Sequence, residues 1–140
     1  FETRNVGWRK ISGDSLIHSM LDVDFDEPVY KITRLRILDG EPAAIHISYL
    51  PEDLFPRIAE DGKTLTSVYD YIHSCGYVQL KTDNAQLTVS SLSKKERTFL
   101  NVKGYAPCLV LTCKCVTLPA GTVVEVARTI YRSDKFIFQL

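Results

Sequence analysis

The sequence predicts an α+β domain, a mainly antiparallel sheet with helices packed on one side of it. Three observations lead there. Strand-like segments rich in β-branched residues dominate the chain, they come in pairs joined by tight turn signals such as Asp39-Gly40, and only short helical patterns interrupt them. With 140 residues, 45% apolar and 24% charged, the chain suits one globular domain spanning 1–140. A chain of this length buries about 68–70% of its unfolded surface, enough for a core without disulfides or a structural metal.

Residues 3–11 read as a weak strand. Gly13-Asp14 then offers a helix cap, and Leu16, Ile17, Met20 and Leu21 recur at helical spacing until acidic residues from Asp22 to Glu27 end the pattern. Residues 29–38 form the strongest strand, and Asp39-Gly40 joins it to a second strand, 43–50, as a hairpin. Pro51 and Pro56 bracket a single turn. Residues 64–75 predict a helix with Leu65, Val68, Tyr69 and Ile72 on its apolar face and Gly76 as its left-handed terminator. A long polar strand, 77–92, leads to Ser93 and Glu96, whose spacing is that of a capping box opening a helix to about Leu100. Strands 108–118 and 122–131 flank Pro119-Ala120-Gly121, and 135–140 is expected to add a terminal strand.

Several function classes are excluded early. Lys plus Arg and Asp plus Glu number 17 each, and no segment gathers the basic residues that counterion release along a phosphate backbone requires. Direct nucleic-acid binding by this chain is therefore not expected. The longest unbroken apolar run is four residues, Cys108 to Leu111, against the ~20 of a membrane span, and no basic-then-apolar leader opens the chain. Cys113 and Cys115 form a C-x-C pair on one strand face, but no His lies near, and residues 109–116 read as a buried strand in which a free thiol is a small apolar group. No metal or cofactor is expected, and unpaired core thiols fit a reducing, cytoplasmic setting. The glycine-rich nucleotide signatures, the G-x-S-x-G elbow and H-E-x-x-H are absent from the sequence.

The chemistry concentrates in the first hairpin. Along 29–38 the even-numbered side chains share a face, so Arg34 and Arg36 stand about 6.6 Å apart among apolar neighbours. Two like charges so placed require an anionic ligand or acidic partners, and Arg suits bidentate phosphate or carboxylate recognition. The alternative is a solvated face, or arginines paired with acids elsewhere. His46 depends on register: a two-residue Asp39-Gly40 loop sends it to the face opposite the arginines, whereas a three-residue loop aligns it and Ser48 with them. Glu125 and Tyr131, six apart in one strand, also share a face, with an ordinary exposed Glu beside a core Tyr as the alternative.

Arg34-Leu35-Arg36 followed by Asp39-Gly40-Glu41-Pro42, then Ser48-Tyr49-Leu50-Pro51, and the closing Tyr131-Arg132-Ser133-Asp134-Lys135-Phe136 resemble the UTRA effector-binding domain of GntR-family transcription regulators of the HutC subfamily. The resemblance covers nearly the whole chain from Leu16 onward. It implies a chorismate-lyase-like fold, a ligand-sensing role in the bacterial cytosol, and a homodimer. It further implies a small anionic effector, often a sugar phosphate or related acid, that modulates DNA binding by a winged helix-turn-helix domain outside this chain, which reads as a fragment. By position, Arg34 and Arg36 resemble the family's anion-binding arginines, and Ser67 and Tyr69, at the start of the second helix, resemble the residues that join them around a phosphate. Glu125 and Tyr131 match positions that close the other side of the pocket. His46 departs from the acidic residue found in relatives that bind amino-sugar phosphates, and an imidazole cannot replace a carboxylate acceptor, so a more acidic ligand is expected. The resemblance also leaves open a chorismate-lyase-type enzyme with Glu125 as acid, and a dimerisation module with a vestigial pocket.

Overall fold

The computed structural model describes residues 2–135. The strand expected at 135–140 lies, beyond Lys135, outside the described residues. Six strands are present among those described: β1 (Glu2–Ile11), β2 (Val29–Leu38), β3 (Glu41–Pro51), β4 (Leu80–Ser91), β5 (Pro107–Thr117) and β6 (Val123–Arg132). They form one antiparallel sheet in the order β1-β2-β3-β6-β5-β4, as the hairpin-rich sequence predicts. Four short helices interrupt them: α1 (Ser15–Leu21), α2 (Ile58–Asp61), α3 (Val68–Ser74) and α4 (Lys94–Leu100).

The helices cover both faces rather than the expected one. On one face Ile17 and Leu21 of α1 and Leu100 of α4 pack on Leu35, Ile37, Ile45, Ile47, Val126 and Ile130. On the other, Ile58 of α2 and Val68 and Ile72 of α3 pack with Phe55 on Tyr30, Ile32 and Leu50. The central strands explain this arrangement. Their apolar residues fall on both parities, so β2 and β3 read almost continuously buried, and each face must find a cover.

Caps set the helix limits. Asp14 caps α1 by accepting from the Ile17 N–H at 3.1 Å. Buried His18 ties that helix to the loop before β2, with Nδ1 2.7 Å from the Asp14 carbonyl and Nε2 2.8 Å from that of Glu27. The Ser93/Glu96 capping box opens α4 as predicted. The helix expected at 64–75 starts later, because Ser67 has extended backbone and its hydroxyl accepts from the Asp70 N–H at 3.3 Å. Leu65 is buried ahead of the helix, Val68 and Ile72 make its apolar stripe, and Tyr69, expected on that stripe, is 59% exposed and stacks on His73 with ring centroids 4.4 Å apart. Gly76 follows at φ 100, the terminator foreseen. A four-residue α2 follows Pro56, too short to leave a periodic signal. Strand β5 is half-buried rather than buried, since its neighbour β4 is almost wholly exposed.

Candidate functional site

The helical cap of α2 and α3 shields only the end of its face that carries Tyr30, Ile32 and Leu50. Beyond it the same face continues through Arg34 and Arg36 on β2, His46 on β3, and Thr129 and Tyr131 on β6, while Ser48 shares the row of Ile32 and Glu125 lies at the covered end opposite Cys115. The register aligns them in rows: Asn5, Arg34, His46, Thr129 and Leu111 lie side by side across five strands, and Ile32, Ser48, Ala127 and Cys113 across four.

The alignment of His46 with Arg34 comes from a device the loop length alone does not reveal. The turn is indeed the two-residue one, with Asp39 at φ 50 and Gly40 at φ 79, and it sets Leu38 opposite Glu41 and Ile37 opposite Pro42. The register then shifts, so that Arg36 faces Ala44, Ala43 is the extra residue of a bulge, and Arg34 faces His46. The expected rule that a two-residue loop separates His46 from the arginines is overturned by that one residue.

Arg34 is 6% exposed and holds two partners. Its Nη1 donates to the Thr66 carbonyl at 2.9 Å, and its Nη2 donates to Nδ1 of His46. Its Nε–H is buried with no hydrogen-bond partner. Burial draws the Arg34 pKa down, opposed by Glu125 and assisted by Arg36, yet a guanidinium does not lose its proton in a protein. Burial first, then Arg34 and Arg36, push His46 down to about 3. The ring is therefore neutral, and because Nδ1 accepts from Arg34, its one N–H is on Nε2. Glu125, 8% exposed rather than an ordinary surface Glu, has its carboxyl pushed up by burial. The adjacent Ser48 hydroxyl and the Arg34 charge oppose that shift, although Ser48 makes no well-aligned hydrogen bond. Across from Glu125, burial pushes the Cys115 thiol up to about 11.

Among the residues anticipated from sequence, Arg34 is thus the common neighbour: His46 and Arg36 lie near it on one side and Glu125 on the other, and Arg36 stands one row on, separated from Tyr131 by Ala44. Ser67 and Tyr69 are not brought into it directly. Ser67 is exposed and spends its hydroxyl on capping α3, and Tyr69 points to solvent; only Thr66, next in the chain, touches Arg34. Asn5 was not foreseen. Its amide donates to the carbonyls of Gly62 at 2.8 Å and Leu65 at 2.9 Å, so it and Arg34 together grip the segment that leads into α3. A lone Asn in a weak strand carries no signal for this role.

A donor-rich patch of buried and half-buried side chains, set in one face of an antiparallel sheet beside a partial helical cap, is the candidate site of this α+β domain. A family model for the UTRA domain matches residues 1–137, and the chain belongs to that family. It is 26% identical over 136 residues to the HTH-type transcriptional repressor NagR of Bacillus subtilis, covering 97% of this chain and 55% of that protein. To the HTH-type transcriptional repressor PhnF of Mycolicibacterium smegmatis it is 23% identical over 133 residues, 95% of this chain and 54% of that protein. The chain thus spans about half the length of the curated relatives it matches. The fold matches the effector domain of PhnF from Mycobacterium smegmatis with a TM-score of 0.87 at 23% identity, covering 98% of this chain and 83% of that one. It also matches the effector-binding domain of the B. subtilis trehalose repressor with a TM-score of 0.81 at 18% identity, covering 100% of this chain and 96% of that one. No helix among the described residues is long and apolar enough to cross a membrane.

Proposed function

We propose that this chain is the effector-sensing domain of a cytoplasmic, homodimeric GntR-family regulator of the HutC type, and that its effector is a small anion, a sugar phosphate or related acid. The observation that carries the reading is the Arg34–His46 pair, in which the buried guanidinium also donates to the Thr66 carbonyl. A fixed guanidinium and a neutral imidazole whose Nε2–H is the donor favour an acceptor-rich group. Arg34 and Arg36 would hold the anionic head and His46, Glu125 and Tyr131 would select the remainder, while Ser67 and Tyr69, turned away from the arginines in this structure, would join only after the segment leading into α3 rearranges.

Arg34 also suggests how binding is transmitted. The guanidinium that would meet the effector already holds the segment leading into α3, so a ligand on Arg34 changes that grip. The coupling needs the ligand to prefer one arrangement of this segment; a preference of about 100-fold is worth ~2.7 kcal/mol. The affected partner would be a DNA-binding domain outside this chain.

A thermal-shift screen with sugar phosphates, phosphonates and small carboxylates tests the proposal, repeated on the Arg34→Ala, Arg36→Ala double variant. A ligand at about 100 times its Kd should add ~2.7 kcal/mol, a shift of several degrees, in the unsubstituted domain alone. No shift with any compound, or an equal shift in the variant, sinks the proposal. The buried Glu125 acid beside Arg34 favours one other reading, a chorismate-lyase-type elimination with Glu125 as proton donor. Release of pyruvate from chorismate would establish that reading instead.

A further inference from the structure

The opposite face of the sheet carries a second concentration of positive charge. Register aligns Arg9 on β1 with Lys31 on β2 and Tyr49 on β3. Lys95 approaches from the first turn of α4 and Arg128 from β6, near enough that both act on the Lys31 charge. None of these four cations belongs to an ion pair among the described residues. Two acids border them, Glu96, which acts on the Lys31 charge, and Asp14, and each also accepts a helix-capping hydrogen bond. Glu96 Oε1 accepts from the Ser93 N–H at 2.8 Å, and Asp14 Oδ1 accepts from the Ile17 N–H at 3.1 Å.

Arg9, Lys31 and Lys95, together with the acid Glu96, line a cleft of about 230 Å³ between α4 and the strands, so three cations face one carboxyl group. Its floor is apolar, with Ile45 and Ile47, and Phe99 supplies one wall. Strand β1 bulges between Asn5 and Gly7 at this point, and Gly7 leaves the cleft open where a Cβ would stand 3.4 Å from that of Thr33. A glycine inside a strand is often the mark of close approach by another group. Lys31 is half-buried, and burial together with Arg9, Lys95 and Arg128 holds its pKa below the ordinary value against the opposing pull of Glu96. Like charges gathered around an apolar floor repel one another at a cost that an anion of matching size removes.

We propose that this cleft is a second ligand site, on the sheet face away from Arg34, for a small amphipathic anion. Its carboxylate or phosphate head would lie among Arg9, Lys31 and Lys95, and its aryl or short alkyl body would pack on Ile45, Ile47 and Phe99. The volume falls below the roughly 300–1,000 Å³ of sites for drug-sized ligands, which limits the occupant to a small molecule. The inference stands independently of the effector proposed above, since the two sites share no residue.

The test is an NMR titration of backbone amides with phenyl phosphate, benzoate and inorganic phosphate. Phenyl phosphate or benzoate is expected to shift Gly7, Lys31, Thr33 and Ser93 to Glu96, and the tighter of the two identifies the preferred head group. The same pattern should persist in the Arg34→Ala, Arg36→Ala variant. Lys31→Met with Lys95→Met should weaken binding by about tenfold or more, the loss expected for charge-assisted hydrogen bonds. Inorganic phosphate binding as well as the aryl anions, shifts confined to the Arg34 face, no shift at millimolar probe, or unchanged affinity in the lysine variant would each overturn the proposal. The map on the unsubstituted chain decides location even if the lysine variant does not fold.

Discussion

Arg34 and His46 stand directly opposite each other across β2 and β3, and they do so because Ala43 adds one residue to the second strand just after the turn. Without that bulge the turn register would pair Arg34 with Ile45 and send the imidazole to the other face. The contact between them, Nη2–H to Nδ1, fixes both the charge of the ring and the atom that carries its proton.

One consequence is a pH dependence of stability. In the unfolded chain His46 titrates near 6.5, in the fold near about 3. Between those values the unfolded state binds a proton that the folded state does not. The contribution is therefore intact above 6.5 and is lost as pH falls toward 3, by up to about 1.4 kcal/mol per pH unit. Urea midpoints measured from about pH 7 to pH 4 should show this slope, and His46→Gln should flatten it. An equally steep slope in the variant would refute the assignment.

Glu125 works in the opposite direction. Burial raises its folded pKa above 4.5, so the native state holds the proton more firmly than the unfolded one. Its contribution is full below 4.5 and declines as pH rises through the raised value. Glu125→Gln keeps the shape and stays neutral. It should be more stable than the parent at pH 7 and nearly equal to it in acid. A lower urea midpoint for the variant at pH 7 would contradict this account.

Asn5→Ala removes two donors from the segment before α3 and leaves the Gly62 and Leu65 carbonyls without them. The expected cost is about 1–3 kcal/mol. Hydrogen exchange should speed up across residues 62–68 while β3 and β6 keep their protection. Unchanged exchange there would show that Arg34 alone anchors the segment.

Gly62 has an ordinary helical backbone, so its constraint is spatial. A Cβ there would lie 2.6 Å from Trp8 Cδ1 and 2.8 Å from both Ile32 Cδ1 and the Ile58 carbonyl. Gly62→Ala should cost about 1–3 kcal/mol through overpacking. Trp8 is the chain's one tryptophan, so its fluorescence should report the displacement. A variant with parental stability and spectrum would mean that the neighbours give way freely.

Local chemistry made much of the fold legible. The β-branched run of β2, the Asp39-Gly40 turn, the Ser93/Glu96 box and Gly76 each act within a few residues, so the succession of strands along the chain, the antiparallel class and most helix limits follow from short-range chemistry. Arg34 and Arg36 were readable as a shared face because strand alternation is local too. Other features arise from contacts of longer range. The Ala43 bulge is an insertion relative to a partner strand, and neither strand alone encodes that count. The burial of Glu125, the grip of Asn5 on residues 57 and 60 positions away, and the exposure of Tyr69 likewise depend on which elements stack on which face. Side-chain periodicity tells which residues share a face, but the partner across that face, and therefore the charge state of a buried group, is set only when distant strands and helices meet.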